Sequence, residues 1–191
     1  MPTLEAKPNT SISAMIDPIN PPDLQLGSLY ILLYTRNDPP NPNDFHWGLY
    51  LHQTPITGGT KYHIKTVGPG WIPDHAANAA IRKEFLLVGL FRIADVPAHW
   101  YPHLDRTFRS LDARLNHPAQ TCRVWALDVL VLLNEPVDGE RVFECDDIPA
   151  LQQEVFDWGN LHAMSAARNE QPRPIGASSL CGLSHCAVGA S

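Results

Sequence analysis

The period of the hydrophobic pattern changes partway along the chain, and this change constrains the fold more than any other feature. In the first half, short apolar segments rich in β-branched and aromatic residues alternate with Pro, Gly and Asn clusters, which is typical of β-strands. Beyond about residue 100, apolar residues recur every three or four positions, which is typical of amphipathic helices. Strands followed by helices predict an α+β fold with a mainly antiparallel sheet.

The first half of the chain is expected to supply the strands of this sheet. We predict four of them, at residues 29–34, 46–52, 61–67 and 85–93. Residues 54–59 have the composition of a hairpin connection. A Pro- and Gly-rich break at 68–73 and a short alanine-rich helix at about 74–83 are expected before the fourth strand.

Three longer helices are expected in the second half. Leu104, Phe108, Leu111 and Leu115 recur at helical spacing, which predicts a helix over 102–116. A second helix is predicted from Cys122 to Leu133, after Thr121 as a possible N-cap, and a third from about 148 to 167. The helix that begins at Cys122 is among the most hydrophobic stretches, so we expect it to cover one face of the sheet.

The length of 191 residues suits a single domain with terminal extensions. We assign residues 1–23, rich in Pro, Asn and Ser, to a flexible N-terminal arm. Residues 24–167 are expected to form the α+β domain, and the Ser-, Gly- and Pro-rich residues 168–191 a tail.

Composition and charge argue against several classes of function. Acidic residues outnumber basic ones by 20 to 14, a net charge of −6, which argues against nucleic-acid binding. No apolar run approaches the roughly 18–20 residues that span a bilayer. The first residues lack the pattern of a secretory signal, and none of the four cysteines forms a CxxC pair. We therefore expect reduced thiols in a cytoplasmic protein.

Cys122 is the first residue to weigh as a catalytic group, because it stands where a core helix begins. At a helix N-terminus the positive end of the dipole and the unpaired N–H groups stabilise a thiolate. The same N–H groups would bind an oxyanion formed when that thiolate attacks a carbonyl. The alternative is that Cys122 is a small apolar side chain filling space at a helix start.

A thiol nucleophile needs a base, and the base needs a partner that orients it. His46 begins the second predicted strand and His63 lies on the third. If the hairpin is symmetric about residues 55 and 56, His63 lies opposite Gly48, one diagonal step from His46 on the same face. Such a diagonal spans about 5.5–8 Å, so the two rings are expected to touch. The alternative is that both are ordinary strand histidines.

Three segments together resemble the lecithin:retinol acyltransferase-like family, which comprises circularly permuted relatives of the NlpC-type, papain-like thiol enzymes. They are HWGLYL at 46–51, YH at 62–63 after a hairpin, and TCRVW at 121–125. The resemblance covers about residues 29–133. It implies a permuted papain-like fold, in which an antiparallel sheet packs against a core helix that starts at the nucleophilic cysteine.

The resemblance also implies roles for individual residues and a reaction. Cys122 would be the nucleophile, His46 the base and His63 the residue that orients the base. The implied reaction is acyl transfer, either hydrolysis or transfer to an acceptor, on a small-molecule, lipid or peptide acyl substrate. It needs no cofactor and no metal.

The sequence allows more than one role for several further residues. Trp47 and Tyr50 either line a substrate pocket or belong to the core, and Gln120 either donates to an oxyanion or is merely solvated. His46, His63 and Cys122 have atom types that suit zinc, although no fourth ligand is evident. The main alternative function is a catalytically inactive papain-like scaffold that binds a ligand or a protein.

Overall fold

A six-stranded sheet forms the centre of the fold, with three α-helices packed against it. The structure is a computed structural model and describes residues 24–183. In chain order, its strands and helices are β1 Ser28–Thr35, β2 Phe45–Thr54, β3 Gly58–Tyr62, β4 Ile64–Val67, β5 Gly70–Pro73, β6 Ala76–Asn78, β7 Leu87–Asp95, α1 Tyr101–Ser110, α2 Cys122–Leu133, α3 Ile148–Ala167 and β8 Ile175–Ala177.

The strand order of the main sheet is β6-β3-β2-β1-β7-β8, and β4 and β5 form a separate two-stranded ribbon. Every pairing in the main sheet is antiparallel except that of β7 with β8. The expected α+β class with a mainly antiparallel sheet is therefore confirmed. The predicted N-terminal arm and residues 184–191 of the predicted tail lie outside the described residues.

The sheet buries both of its faces, but unequally. Along β1, Leu29, Ile31 and Leu33 belong to the large core that includes α2 and α3. The alternate residues Tyr30 and Leu32 belong to a smaller cluster on the opposite face. This alternation follows from the two-residue period of a strand. Within residues 24–183, no helix combines the length and apolar character needed to cross a bilayer.

The predicted register of the hairpin is confirmed, but its second strand is shorter than expected. Leu49 lies opposite Tyr62 and His52 opposite Gly59, as the symmetric connection requires. The expected strand at 61–67 is instead divided, because β3 ends at Tyr62 and the chain turns away at His63. It continues as β4, which pairs with β5 and not with β2.

The expected helix at 74–83 is wrong. These residues form β6, which pairs with β3, and a 3₁₀ turn over Ile81–Lys83. The side chain of Asn78 accepts a hydrogen bond from the Ala80 N–H at 2.9 Å, a local turn that competes with a helix. Alanine has the highest helix propensity, but its advantage is less than about 1 kcal/mol per residue over most others, so strand pairing and this turn outweigh it.

The three long helices follow their predicted positions with one difference. α2 and α3 match their expected ranges, and the Thr121 side chain caps α2 by accepting a hydrogen bond from the Val124 N–H. α1 ends at Ser110, six residues earlier than the 116 expected, and a 3₁₀ turn over Asp112–Arg114 follows. Asn116 has a φ of 77°, which a right-handed helix does not allow.

Part of the expected tail belongs to the folded domain. β8 lies within it and extends the main sheet by pairing with β7. The side chain of Arg173 is buried and donates to the Ala166 carbonyl in the last turn of α3 and to the Glu170 carbonyl just beyond it. The Ser, Gly and Pro content of 168–183 therefore reflects a tightly packed edge strand, where small residues allow close approach.

Gly176 in β8 tests this packing. A Cβ at position 176 would lie 2.6 Å from Trp158 Nε1 and 2.7 Å from Phe91 Cδ2. We expect Gly176→Ala to lower the free energy of unfolding by about 1–3 kcal/mol, measured by urea denaturation, because the side chains must shift. The exposed neighbour Ala177, changed to Ser, is the control. Equal stability of the two variants would show that the segment does not pack on the sheet.

Candidate functional site

Cys122 is the first residue of α2, and its position is fixed by the helix cap. Thr121 is extended, and its Oγ1 accepts a hydrogen bond from the Val124 N–H at 3.1 Å. The N–H groups of Cys122 and Arg123 have no intrahelical acceptor, as in any first helical turn. Cys122 is only 2% exposed, because the face of α2 on which it lies packs into the large core.

The sulfur of Cys122 lies at the edge of β2, against the backbone of the residue that follows His46. Cys122 Sγ accepts a hydrogen bond from the Trp47 backbone N–H at 3.5 Å. Strand N–H groups point within the plane of a sheet. β1 occupies one edge of β2. On the other edge, β3 pairs with β2 only as far as Leu49, so the sulfur lies against the part of that edge that β3 leaves unpaired.

The two predicted histidines are in direct contact. His46 Nε2 and His63 Nδ1 are 3.0 Å apart, and the rings meet edge to face at an interplanar angle of 82°. Gly48 lies close against this pair, since a Cβ at that position would be 3.2 Å from the His63 Cβ and 3.3 Å from the Tyr62 carbonyl oxygen. The predicted meeting of the two rings is thus present in the structure.

No hydrogen bond joins Cys122 Sγ to the ring of His46 or His63 in residues 24–183. The sulfur is instead held through the backbone of Trp47, the residue next to His46. The sulfur therefore contacts the strand residue that follows His46, without a hydrogen bond to either imidazole in residues 24–183.

Asp74 extends the line of polar groups beyond His63, and the sequence analysis missed it. Asp74 Oδ2 lies 3.1 Å from His63 Nε2 and 3.1 Å from Lys65 Nζ. The angle at His63 Nε2 falls short of a well-aligned hydrogen bond, so the contact acts mainly as a charge interaction. The Asp74 N–H also donates to the His63 carbonyl at 2.9 Å, which fixes the two residues together.

The partners of the rings assign their tautomers. The Asp74 carboxylate favours a proton on His63 Nε2, which leaves His63 Nδ1 as an acceptor. His46 Nε2 then carries the proton that it donates to His63, and His46 Nδ1 is left as the basic nitrogen. Burial opposes ionisation of Asp74, but the hydrogen bond from Lys65 and the nearby His63 and lysine charges outweigh it and lower its pKa.

Burial keeps both imidazoles neutral near pH 7. It lowers the pKa of His46 to about 4, with further lowering by His63, Arg36 and Lys61. It also lowers the pKa of His63, with Lys61 acting in the same direction and Asp74 and Glu84 against it. A neutral His46 suits a general base and does not favour a resting imidazolium–thiolate pair.

The three predicted substrate-binding residues are not brought together. The Trp47 side chain is buried in the large core, edge to face with Phe156 at 5.6 Å. Tyr50 is buried on the opposite face, where its hydroxyl donates to the Asn78 carbonyl at 3.1 Å. Both therefore fit the core alternative. Gln120 lines a surface cleft of about 310 Å³ that does not include Cys122, Trp47 or Tyr50.

A second histidine–aspartate pair lies close to α2 and was also missed. His75 Nε2 is 3.1 Å from Asp112 Oδ1, and the His75 side chain is 2% exposed. Its ring stacks on Trp125 of α2 at 5.8 Å and contacts Tyr62 at 5.3 Å. The pair joins the start of β6 to the 3₁₀ turn after α1, and the stacking on Trp125 adds a contact with α2. Its position depends on β5 and β6, neither of which the sequence predicted as a strand.

The zinc alternative has no support in the described part of the chain. Residues 24–183 contain no group of three or more His, Cys, Asp or Glu side chains placed to hold a metal ion. His46, His63 and Cys122 therefore do not form a metal-binding set.

Comparisons with known proteins give no independent assignment. No family model, no curated protein and no solved structure matches the chain. The resemblance to the lecithin:retinol acyltransferase-like family consequently remains an expectation that rests on three short segments.

The buried histidines predict a pH dependence of stability. An unfolded histidine takes up a proton near pH 6.5, whereas folded His46 stays neutral down to about pH 4. The unfolded state therefore binds more protons between these values. We expect the free energy of unfolding to fall, as the pH drops through this window, by on the order of 1 kcal/mol per pH unit.

His46→Gln should flatten this dependence, while His63, whose pKa is also lowered, keeps part of it. His99→Gln, at an exposed histidine, is the matched control. Urea denaturation at several pH values measures the effect. An unchanged slope in His46→Gln would contradict a buried, neutral His46.

Proposed function

We propose that the protein is a cysteine-dependent acyl-transfer enzyme with Cys122 as nucleophile, His46 as base and His63 as the residue that orients the base. The observation that carries the proposal is the hydrogen bond from the Trp47 N–H to Cys122 Sγ, because it holds the sulfur at the N-terminus of α2 against the residue that follows His46. This combination of thiol, imidazole and helix N-terminus suits nucleophilic attack on a carbonyl.

The first half of the reaction forms a thioester. His46 Nδ1 takes the proton of the Cys122 thiol as the sulfur attacks the carbonyl carbon of an amide, ester or thioester. The N–H groups of Cys122 and Arg123 bind the oxyanion of the tetrahedral intermediate. The protonated His46 then returns its proton to the leaving group, and the acyl group remains on the sulfur.

The second half releases the acyl group. Water, or an amine, alcohol or thiol acceptor, loses a proton to His46 as it attacks the thioester, and the Cys122 thiolate leaves and is reprotonated. Throughout, His63 holds the His46 proton on Nε2, and Asp74 stabilises the positive charge that passes to the imidazoles. The acyl donor belongs to a broad class that includes small molecules, lipids and peptides.

Access to the sulfur is part of the proposal. Because Cys122 is 2% exposed, a substrate reaches it only when neighbouring side chains move. The hydrogen bond from Trp47 remains available during such a movement, since it comes from the backbone of a strand that is paired with β1.

An acylation assay tests the proposal. We expect p-nitrophenyl acetate to transfer its acetyl group to Cys122, found by mass spectrometry on the tryptic peptide 115–123. His46→Ala should slow this acylation by about 10²–10⁴-fold, because the thiol loses its base. His99→Ala controls for loss of a histidine at an exposed position. Equal rates in the two variants would exclude His46 as the base.

Asp74 gives a second prediction, as a positioning residue that acts through His63. Asp74→Asn should slow acylation by about tenfold, which is less than the effect of His46→Ala. Without the carboxylate, the orientation and tautomers of the two imidazoles are less well fixed, but the base remains. Lys65→Gln removes the other partner of Asp74 and is the matched control. A larger loss in Lys65→Gln than in Asp74→Asn would contradict the role given to Asp74.

A second candidate function is a catalytically inactive papain-like scaffold that binds a ligand or a protein. The burial of Cys122 and the absence of a hydrogen bond from its sulfur to either histidine ring in residues 24–183 favour it. The same assay separates the two functions. If the folded protein is not acylated at Cys122 although urea-unfolded chain is, the scaffold function is favoured and the enzyme proposal fails.

A further inference from the structure

Two of the remaining cysteines lie directly opposite each other, far along the chain from the proposed catalytic residues. Cys145, in the turn before α3, and Cys181, after β8, form an isolated antiparallel bridge. Both are free thiols and both are buried. Burial raises the pKa of the Cys181 thiol to about 12, and the adjacent Cys145 thiol adds to the rise.

The hydrogen bonds around the pair determine its geometry. The Gly182 N–H donates to the Glu144 carbonyl at 3.0 Å, so the bond flanks the two cysteines and does not join them. Opposed residues of this non-hydrogen-bonded kind have Cα atoms about 4.5 Å apart, with their side chains close. A disulfide requires Cα atoms about 4.4–6.8 Å apart, so the backbone already suits one.

Further hydrogen bonds hold each cysteine in place. The Asn134 side chain accepts from the Cys145 N–H at 3.1 Å and donates to its carbonyl at 2.8 Å. The Ser178 hydroxyl accepts from the Cys181 N–H at 3.2 Å. Because both backbones are fixed by partners other than each other, forming a bond between the sulfurs requires little rearrangement.

We infer that Cys145 and Cys181 form a disulfide when a small-molecule disulfide such as oxidised glutathione is present. The thiolate of one cysteine attacks the glutathione disulfide and releases one reduced glutathione. The thiolate of the other then attacks the resulting mixed disulfide and releases the second. Two thiols are oxidised and one disulfide is reduced to two thiols, with both protons passing to glutathione.

The bond would close a loop that contains all of α3 and β8. It would thereby fix the C-terminal segment to the turn that precedes α3 and stabilise the packing of β8 on β7. The burial of both thiols and the raised pKa of Cys181 make the exchange slow in the folded chain, so oxidation proceeds during folding or through local opening. The inference does not involve Cys122 and stands apart from the proposed enzyme activity.

Peptide mapping tests the inference on the full chain. The protein is refolded in a buffer of oxidised and reduced glutathione, the remaining thiols are alkylated, and it is digested with trypsin without reduction. We expect peptide 142–168, which contains Cys145, to be linked to peptide 169–191, which contains Cys181. Because Cys186 lies in the same peptide as Cys181, the Cys186→Ser variant is analysed in parallel.

The link should persist in Cys186→Ser and disappear in Cys145→Ser. Oxidised Cys186→Ser should melt about 5–10 °C above its reduced form, while Cys145→Ser should show no rise that depends on oxidant. Loss of the link in Cys186→Ser would overturn the inference. So would a link confined to Cys181 and Cys186, or cysteines that carry only glutathione adducts.

Discussion

The fold around the proposed site depends on the point where β3 leaves the edge of β2. Beyond Tyr62 the chain no longer pairs with β2, so the Trp47 N–H faces an edge without a strand. A buried N–H without an acceptor costs about 1–3 kcal/mol. The first residue of α2 supplies that acceptor through the Cys122 sulfur. The same departure sends the chain into β4 and so brings Asp74 back against His63.

The two faces of the sheet near the proposed site differ in character, since one is apolar and the other carries the polar side chains. The face toward α2 and α3 is a continuous apolar core, in which the Cys122 helix is anchored. On the opposite side, His46 meets His63, and His63 meets Asp74. The edge of β2 is where these two environments join. The Cys122 sulfur lies at this edge, where it accepts a hydrogen bond from the Trp47 N–H, and the residue before Trp47 carries the first of the two imidazoles.

Sequence reasoning succeeded where a local pattern and its cap coincide. α2 was predicted with its N-cap because Thr121 precedes a long apolar run, and the hairpin register followed from the symmetry of its connection. It failed where pairing with another segment determines the secondary structure. The short segments GWIP and AAN form β5 and β6 because partner strands lie alongside them, and β8 packs through small residues that resemble a tail. Asp74 was missed for that reason, since its approach to His63 depends on β4 and β5.

The contact between Cys122 and the edge of β2 is most directly tested by nuclear magnetic resonance of the Trp47 backbone amide. Replacing Cys122 by alanine removes the acceptor, so we expect the Trp47 amide proton to shift in resonance and to lose protection against hydrogen exchange. Replacing the buried Cys145 by alanine should leave that amide unchanged. If the Trp47 amide does not respond to Cys122→Ala, the sulfur does not contact the edge of β2, and the proposed site fails.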